Sequence, residues 1–118
     1  MSVIDWDAFR KRIGGGEERA RTVVTVMIEE CSEVPDVIRA ALAAGDAKRA
    51  GLAAHRLRSA AHTFGSEQVL ALAERIEALA GEEDLGGAAA ALPELESAVA
   101  CLVEALTEAT GEVAGEDT

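Results

Sequence analysis

The stretch Ala54-His55-Arg56-Leu57-Arg58-Ser59-Ala60-Ala61-His62-Thr63-Phe64-Gly65 decides how this chain is read. It has helical spacing, it closes on a glycine, and it sets an imidazole among guanidinium groups. On a wheel of about 100° per residue, Ala50, Ala53, Leu57, Ala60, Ala61 and Phe64 gather on one side. That side is expected to be buried. His55 lies opposite, with Lys48, Gly51, Arg58, Ser59 and His62 within about 60° of it. The ring should therefore face water. Its neighbours one turn away, Gly51 and Ser59, are small. A helix-interior Gly costs about 1 kcal/mol relative to Ala, but small neighbours leave the ring clear for another surface.

The charge around this helix runs against that of the rest of the chain. Between Ala47 and Ser66 the charged residues are Lys48, Arg49, Arg56 and Arg58, with no Asp or Glu, while the whole chain carries -11. A lone basic stretch centred on an imidazole, in an acidic protein, marks a place where an anion is handled. The same acidity argues against nucleic acid, whose binders need a broad basic face, and against an anionic membrane surface. No apolar run reaches about 18 residues, and no charged-then-apolar leader opens the chain, so neither insertion nor secretion is expected. A cytoplasmic monomer is the expectation.

Composition sets the fold class. The 118 residues suit one domain. Hydrophobic residues make up 49%, but 25 of the residues are alanine, against two Phe and one Trp. Alanine is the best helix former, and strand-favouring aromatic and β-branched residues are scarce. The expected fold is all-α, with closely approaching helices.

Working outward from the histidine helix, Asp46 is its expected N-cap and Gly65 its end, giving residues 47–64. A first short helix covers 6–13, with Asp5 as cap and the stripe Trp6, Phe9 and Ile13. Gly14-Gly15-Gly16 reads as a connector, since no Gly-Lys-Ser/Thr follows and no strand precedes it. A second helix, 17–34, carries Ala20, Val23, Val24, Met27, Ile28, Cys31 and Val34 at helical period. Pro35 is expected to interrupt or restart it, with a short helix through Leu42 ending at Gly45. Ser66 caps a fourth helix ending near Ala80, with the stripe Val69, Leu72, Ala73, Ile76, Leu79 and Ala80. Residues 81–87 read as a polar turn. Pro93 opens the last helix, whose Leu95, Val99, Leu102 and Leu106 face inward. The domain is expected over 1–110, and 111–118 reads as a disordered acidic tail. The whole is an antiparallel up-down four-helix bundle with a short additional N-terminal helix. Cys31 and Cys101 fall on apolar helix faces and read as buried free thiols, although a bridge between them stays open.

The chemistry of the exposed face suits a phosphoryl group. Imidazole, with an unperturbed pKa of about 6.5, is largely neutral and nucleophilic near neutral pH. Phosphoryl transfer demands positioning and charge neutralisation more than covalent machinery. Arg58, one turn on, can hold phosphoryl oxygens through charge-assisted hydrogen bonds. No Walker motif and no carboxylate cluster for magnesium lies on this helix, so a carrier is read, not a self-contained enzyme. His62 sits about 10.5 Å further along the axis, too far for the two rings to share a metal ion. No metal site is expected; His62 lines a docking surface or is a bystander. Lys48 and Arg49 are solubilising charge, or they steer an acidic partner toward His55.

The segment resembles histidine-phosphotransfer (HPt) domains of multistep two-component phosphorelays, and the related phosphotransfer domain of chemotaxis kinases. The family pattern, approximately His-x-Leu-Lys-Gly-Ser/Ala-Ala/Ser-x-x-x-Gly, is met by His55 through Gly65. Ile76-Glu77 falls on a later apolar-Glu pair, and Ala41-Leu42 through Gly45-Asp46 on the usual lead-in. The likeness spans about Ile4 to Leu106 in helix order and is specific in the 54–65 window. It implies His55 as phosphoacceptor, Arg58 as the phosphate-stabilising cation, and Glu77 as the carboxylate that orients the ring. It also implies response-regulator receiver domains and a sensor or hybrid histidine kinase as partners, docking on Lys48, Gly51, Leu52, Ser59 and His62. No cofactor is expected on this chain, magnesium belonging to the partner receiver. Two departures stand out: Arg58 replaces the family lysine, and Ser59 the following glycine. A bundle of the same fold that binds receivers or kinases without being phosphorylated is the alternative.

Overall fold

The computed structural model describes residue 4 and residues 6–14 and 16–116. Five helices follow in order: α1 (Trp6–Ile13), α2 (Glu17–Ala43), α3 (Ala47–Phe64), α4 (Glu67–Gly81) and α5 (Leu85–Glu116). The described residues contain no strand. The four long helices pack in a ring, α2 on α3, α3 on α4, α4 on α5 and α5 on α2, with α1 laid against α3 and α2. The molecule measures 48 × 24 × 24 Å, so its cross-section is two helix diameters each way. Among the described residues no helix is long and apolar enough to cross a membrane.

α3 forms where its residues dictate. Asp46 Oδ1 accepts the Arg49 amide at 3.0 Å and so caps the first turn. Gly65 ends the helix at φ 70°, a left-handed turn that a side chain would resist, and its amide and that of Ser66 return to His62 and Ala61 carbonyls. The buried face is the one read from the wheel, with Ala54 added to it. Phe64 meets Phe9 of α1 at 4.8 Å between ring centroids, and Arg12 Nη1 donates to the Thr63 carbonyl at 3.3 Å, so α1 is moored to the end of α3. Asp5 and the side chains of Trp6 and Ile13 lie outside the described residues.

Both prolines depart from expectation. α2 runs unbroken through Pro35, and α5 begins at Leu85 and runs unbroken through Pro93. A proline inside a helix removes one amide donor and crowds the carbonyl four residues back, a local cost. Here each lies beside residues that the core buries completely or nearly so, Val34 and Ile38 in α2, Leu92 and Leu95 in α5. Burial of about 1.5–3 kcal/mol per large apolar side chain outweighs it. The stretch 81–87 is correspondingly only partly a turn. Asp84 Oδ1 accepts the Gly87 amide at 2.9 Å and starts α5 at Leu85, three residues before the alanine run begins, so Ala88 and Ala91 enter the core. A Cβ at Gly87 would stand 2.5 Å from Asp84 Oδ2, so a side chain there would displace the capping carboxylate.

Two smaller corrections follow. Ser66 holds the N-cap position of α4, but its hydroxyl makes no capping bond; it is buried, and Oγ has no hydrogen-bond partner. Both thiols are free, yet only Cys31 is buried, while Cys101 is exposed on α5. Burial, reinforced by Glu30, pushes the Cys31 thiol up to about 11. The backbone of α5 is helical through Glu116.

The placement of α4 against α3 matters most for function. Ala41, Ala50 and Ala80 form a small buried cluster joining α2, α3 and α4. Gly51 faces Ala80 as well, with 3.7 Å from its would-be Cβ to that methyl carbon. Alanines at the contact bring α3 and α4 close together. Ile76 and Ala73 anchor the next turns of α4 in the main core. Residues one position off that buried stripe then stand at the seam between the two helices.

Candidate functional site

Glu77 occupies that seam and reaches back to α3. Its Oε2 lies 2.7 Å from His55 Nδ1, and its Oε1 accepts Arg58 Nη1 at 2.9 Å. Arg58 also approaches Glu74, with Nε 3.6 Å from Oε1. Glu74 and Glu77 are one turn apart on α4, just as His55 and Arg58 are on α3, so two carboxylates face a ring and a guanidinium across the interface. The ring is 57% exposed and Glu77 only 26%, so the imidazole stands out from a more sheltered base.

The protonation pattern follows from the charges. Partial burial pushes the Glu77 carboxyl up, but hydrogen bonds from Arg58 and His55 and the charge of both overcome it, leaving the pKa below the usual carboxylate range. An ionised carboxylate has no proton to give, so the 2.7 Å contact requires Nδ1–H to donate to Glu77. That fixes the tautomer and leaves Nε2 with its lone pair. The ring is thus oriented by the carboxylate and exposed on its Nε2 side, with a cation one turn away.

The other residues expected at this surface are placed as follows. Lys48, Ser59 and His62 are exposed, and Leu52 stands out at 58%. Ser59 Oγ turns inward to donate to the His55 carbonyl at 3.3 Å. Gly51 is half-buried against Ala80, not part of the open surface. Arg56 points away from the site toward Glu30 of α2, at 4.0 Å. Among the described residues no group of three or more His, Cys, Asp or Glu side chains is arranged to hold a metal ion. Sequence reading had not singled out Glu74; the available signal was its i, i+3 spacing from Glu77 on the same helix.

The site is an exposed, carboxylate-oriented histidine on a four-helix bundle, with a cation one turn on. The chain belongs to the Hpt domain family, whose family model matches residues 22–111. It is accordingly a phosphotransfer domain of the phosphorelay type, a module that works with kinases and receiver domains. Comparison with curated proteins and with solved structures gave no match.

Proposed function

We propose that the chain carries a phosphoryl group on His55 Nε2, accepting it from a receiver aspartyl-phosphate or a kinase and passing it to a response-regulator receiver. The observation that carries this is the single carboxylate of Glu77 bonded to both His55 Nδ1 and Arg58. In the forward step the Nε2 lone pair attacks phosphorus, the N–P bond forms, and the O–P bond breaks to release the receiver's aspartate carboxylate. The Nδ1 proton stays in place, so the phosphorylated ring is cationic. Glu77 offsets that charge where it develops. Arg58 neutralises the phosphoryl oxygens, and return transfer reverses the same bonds. Magnesium acts from the receiver side, and this chain supplies no self-contained catalytic machinery.

Docking fits the exposed strip of α3. Lys48 and Arg49 steer an acidic partner, and Leu52 supplies an apolar contact one turn before the ring. The test is incubation with a phosphorylated receiver or an active hybrid kinase. Acid-labile, base-stable label that His55→Gln abolishes supports the reading. Label persisting in that variant, or absent with every cognate receiver, favours a non-phosphorylated adaptor.

A further inference from the structure

Arg58 faces two kinds of anion. The carboxylates of Glu77 and Glu74 already engage two of its nitrogens, Nη1 at 2.9 Å and Nε at 3.6 Å. A phosphoryl group on His55 would bring a further anion to the same guanidinium, whose donors sit in one fixed plane. Arg58 is 44% exposed, open on one side to water and to a group on His55, so carboxylate and phosphoryl oxygens compete for one cation. Glu77 is shared with the ring and stays useful in either state. Glu74 is not: it touches Arg58, and no bond joins it to His55 among the described residues.

We infer that Glu74 is a positioning residue that holds Arg58 against α4 and thereby sets the phosphoryl-transfer equilibrium of His55. This rests on the carrier reading above. With Glu74 in place, part of the guanidinium's interaction must be given up when His55 is phosphorylated, which favours return of the group to the receiver. With Glu74 neutralised, Arg58 turns to the phosphoryl group at less cost. The rigid plane of the guanidinium gives this its physical basis, since donors held toward α4 cannot turn to His55 without turning the whole group, whereas an ammonium's donors rotate freely.

The test is a double-mutant cycle read as the share of phosphoryl on His55 at exchange equilibrium with a receiver. Glu74→Gln should raise the ratio of phosphorylated chain to phosphorylated receiver by about two- to fivefold, the scale of an exposed ion pair. In an Arg58→Ala background the same substitution should leave the ratio unchanged. An equal rise in both backgrounds would mean that Glu74 merely repels the phosphoryl group, and no rise in either would mean that it does nothing; each overturns the inference. Side-chain nitrogen spectra of the unphosphorylated protein separate this from failure of the carrier reading. The Arg58 Nε–H signal should move in Glu74→Gln, and an unmoved signal sinks the positioning role whether or not His55 takes label.

Discussion

His55 and His62 stand on the exposed side of one helix, two turns apart, and both are open to water. What separates them lies on the neighbouring helix. His55 has Glu77 at 2.7 Å, and through it Arg58. Among the described residues no carboxylate pairs with the His62 ring. Exposure alone therefore makes neither ring a phosphoacceptor. On the carrier reading it is the oriented ring and the nearby cation that set His55 apart, and both depend on how closely α4 packs on α3.

The largest expected effect breaks the pair apart. His55→Gln should lose all acid-labile label, whereas His62→Gln should keep it at or near the wild-type level, changing at most the rate of docking. Label that follows His62 in quantitative phosphorylation assays would reverse the assignment. Glu77→Gln comes next, because it turns His55 into a ring like His62, exposed but unoriented. Loss of a charge-assisted hydrogen bond worth about 1.5–3 kcal/mol predicts transfer slowed roughly ten- to hundredfold in rapid-quench kinetics. Unchanged kinetics would separate the observed contact from any role in transfer.

The same carboxylate gives a pH signature. Its pKa is lowered in the folded state, so the stability it contributes is present above the unfolded value and is lost as pH falls through the lowered one. Denaturant titrations should show wild type more stable than Glu77→Gln at neutral pH, with the gap closing only on the acid side of the ordinary carboxylate range. A gap that is constant down to low pH would mean that the difference is not electrostatic.

How much of this was legible beforehand divides along the same line. The limits of α3, its Asp46 cap, its Gly65 stop and its inward alanines follow from local rules, because capping and periodicity act over a few residues. The prolines misled, since their cost is local while the burial that overrides it at Ile38 and Leu95 comes from other helices. Periodicity places Cys101 inward, but it stands exposed on α5. Glu77 was legible only through the family pattern, and Glu74 not at all. Which side chains meet across a seam depends on helix rotation, and one chain's periodicity leaves that open by a residue either way.

Arg58→Ala tests the cation shared across that seam. Transfer should slow by roughly two- to tenfold, the scale of an ordinary hydrogen bond at a half-exposed site, with the helical circular dichroism signal unchanged. Transfer at the wild-type rate would leave His55 differing from His62 by the carboxylate alone.

Gly51→Ala gives the smallest effect and decides why a glycine lies one turn before His55. If the small residue clears a path to His55, an added methyl should slow transfer. The geometry argues otherwise, because the Cβ would point at Ala80, at an ordinary contact distance of 3.7 Å, and not toward the open ring. Replacing a helix-interior glycine without strain should then stabilise the fold by about 0.5–1 kcal/mol in thermal or denaturant unfolding, with transfer kinetics unaltered. Slower transfer at unchanged stability would return Gly51 to the docking surface. A stability gain without a kinetic change would place it with Ala50 and Ala80 in the contact that holds α4, and so Glu77, within reach of the imidazole.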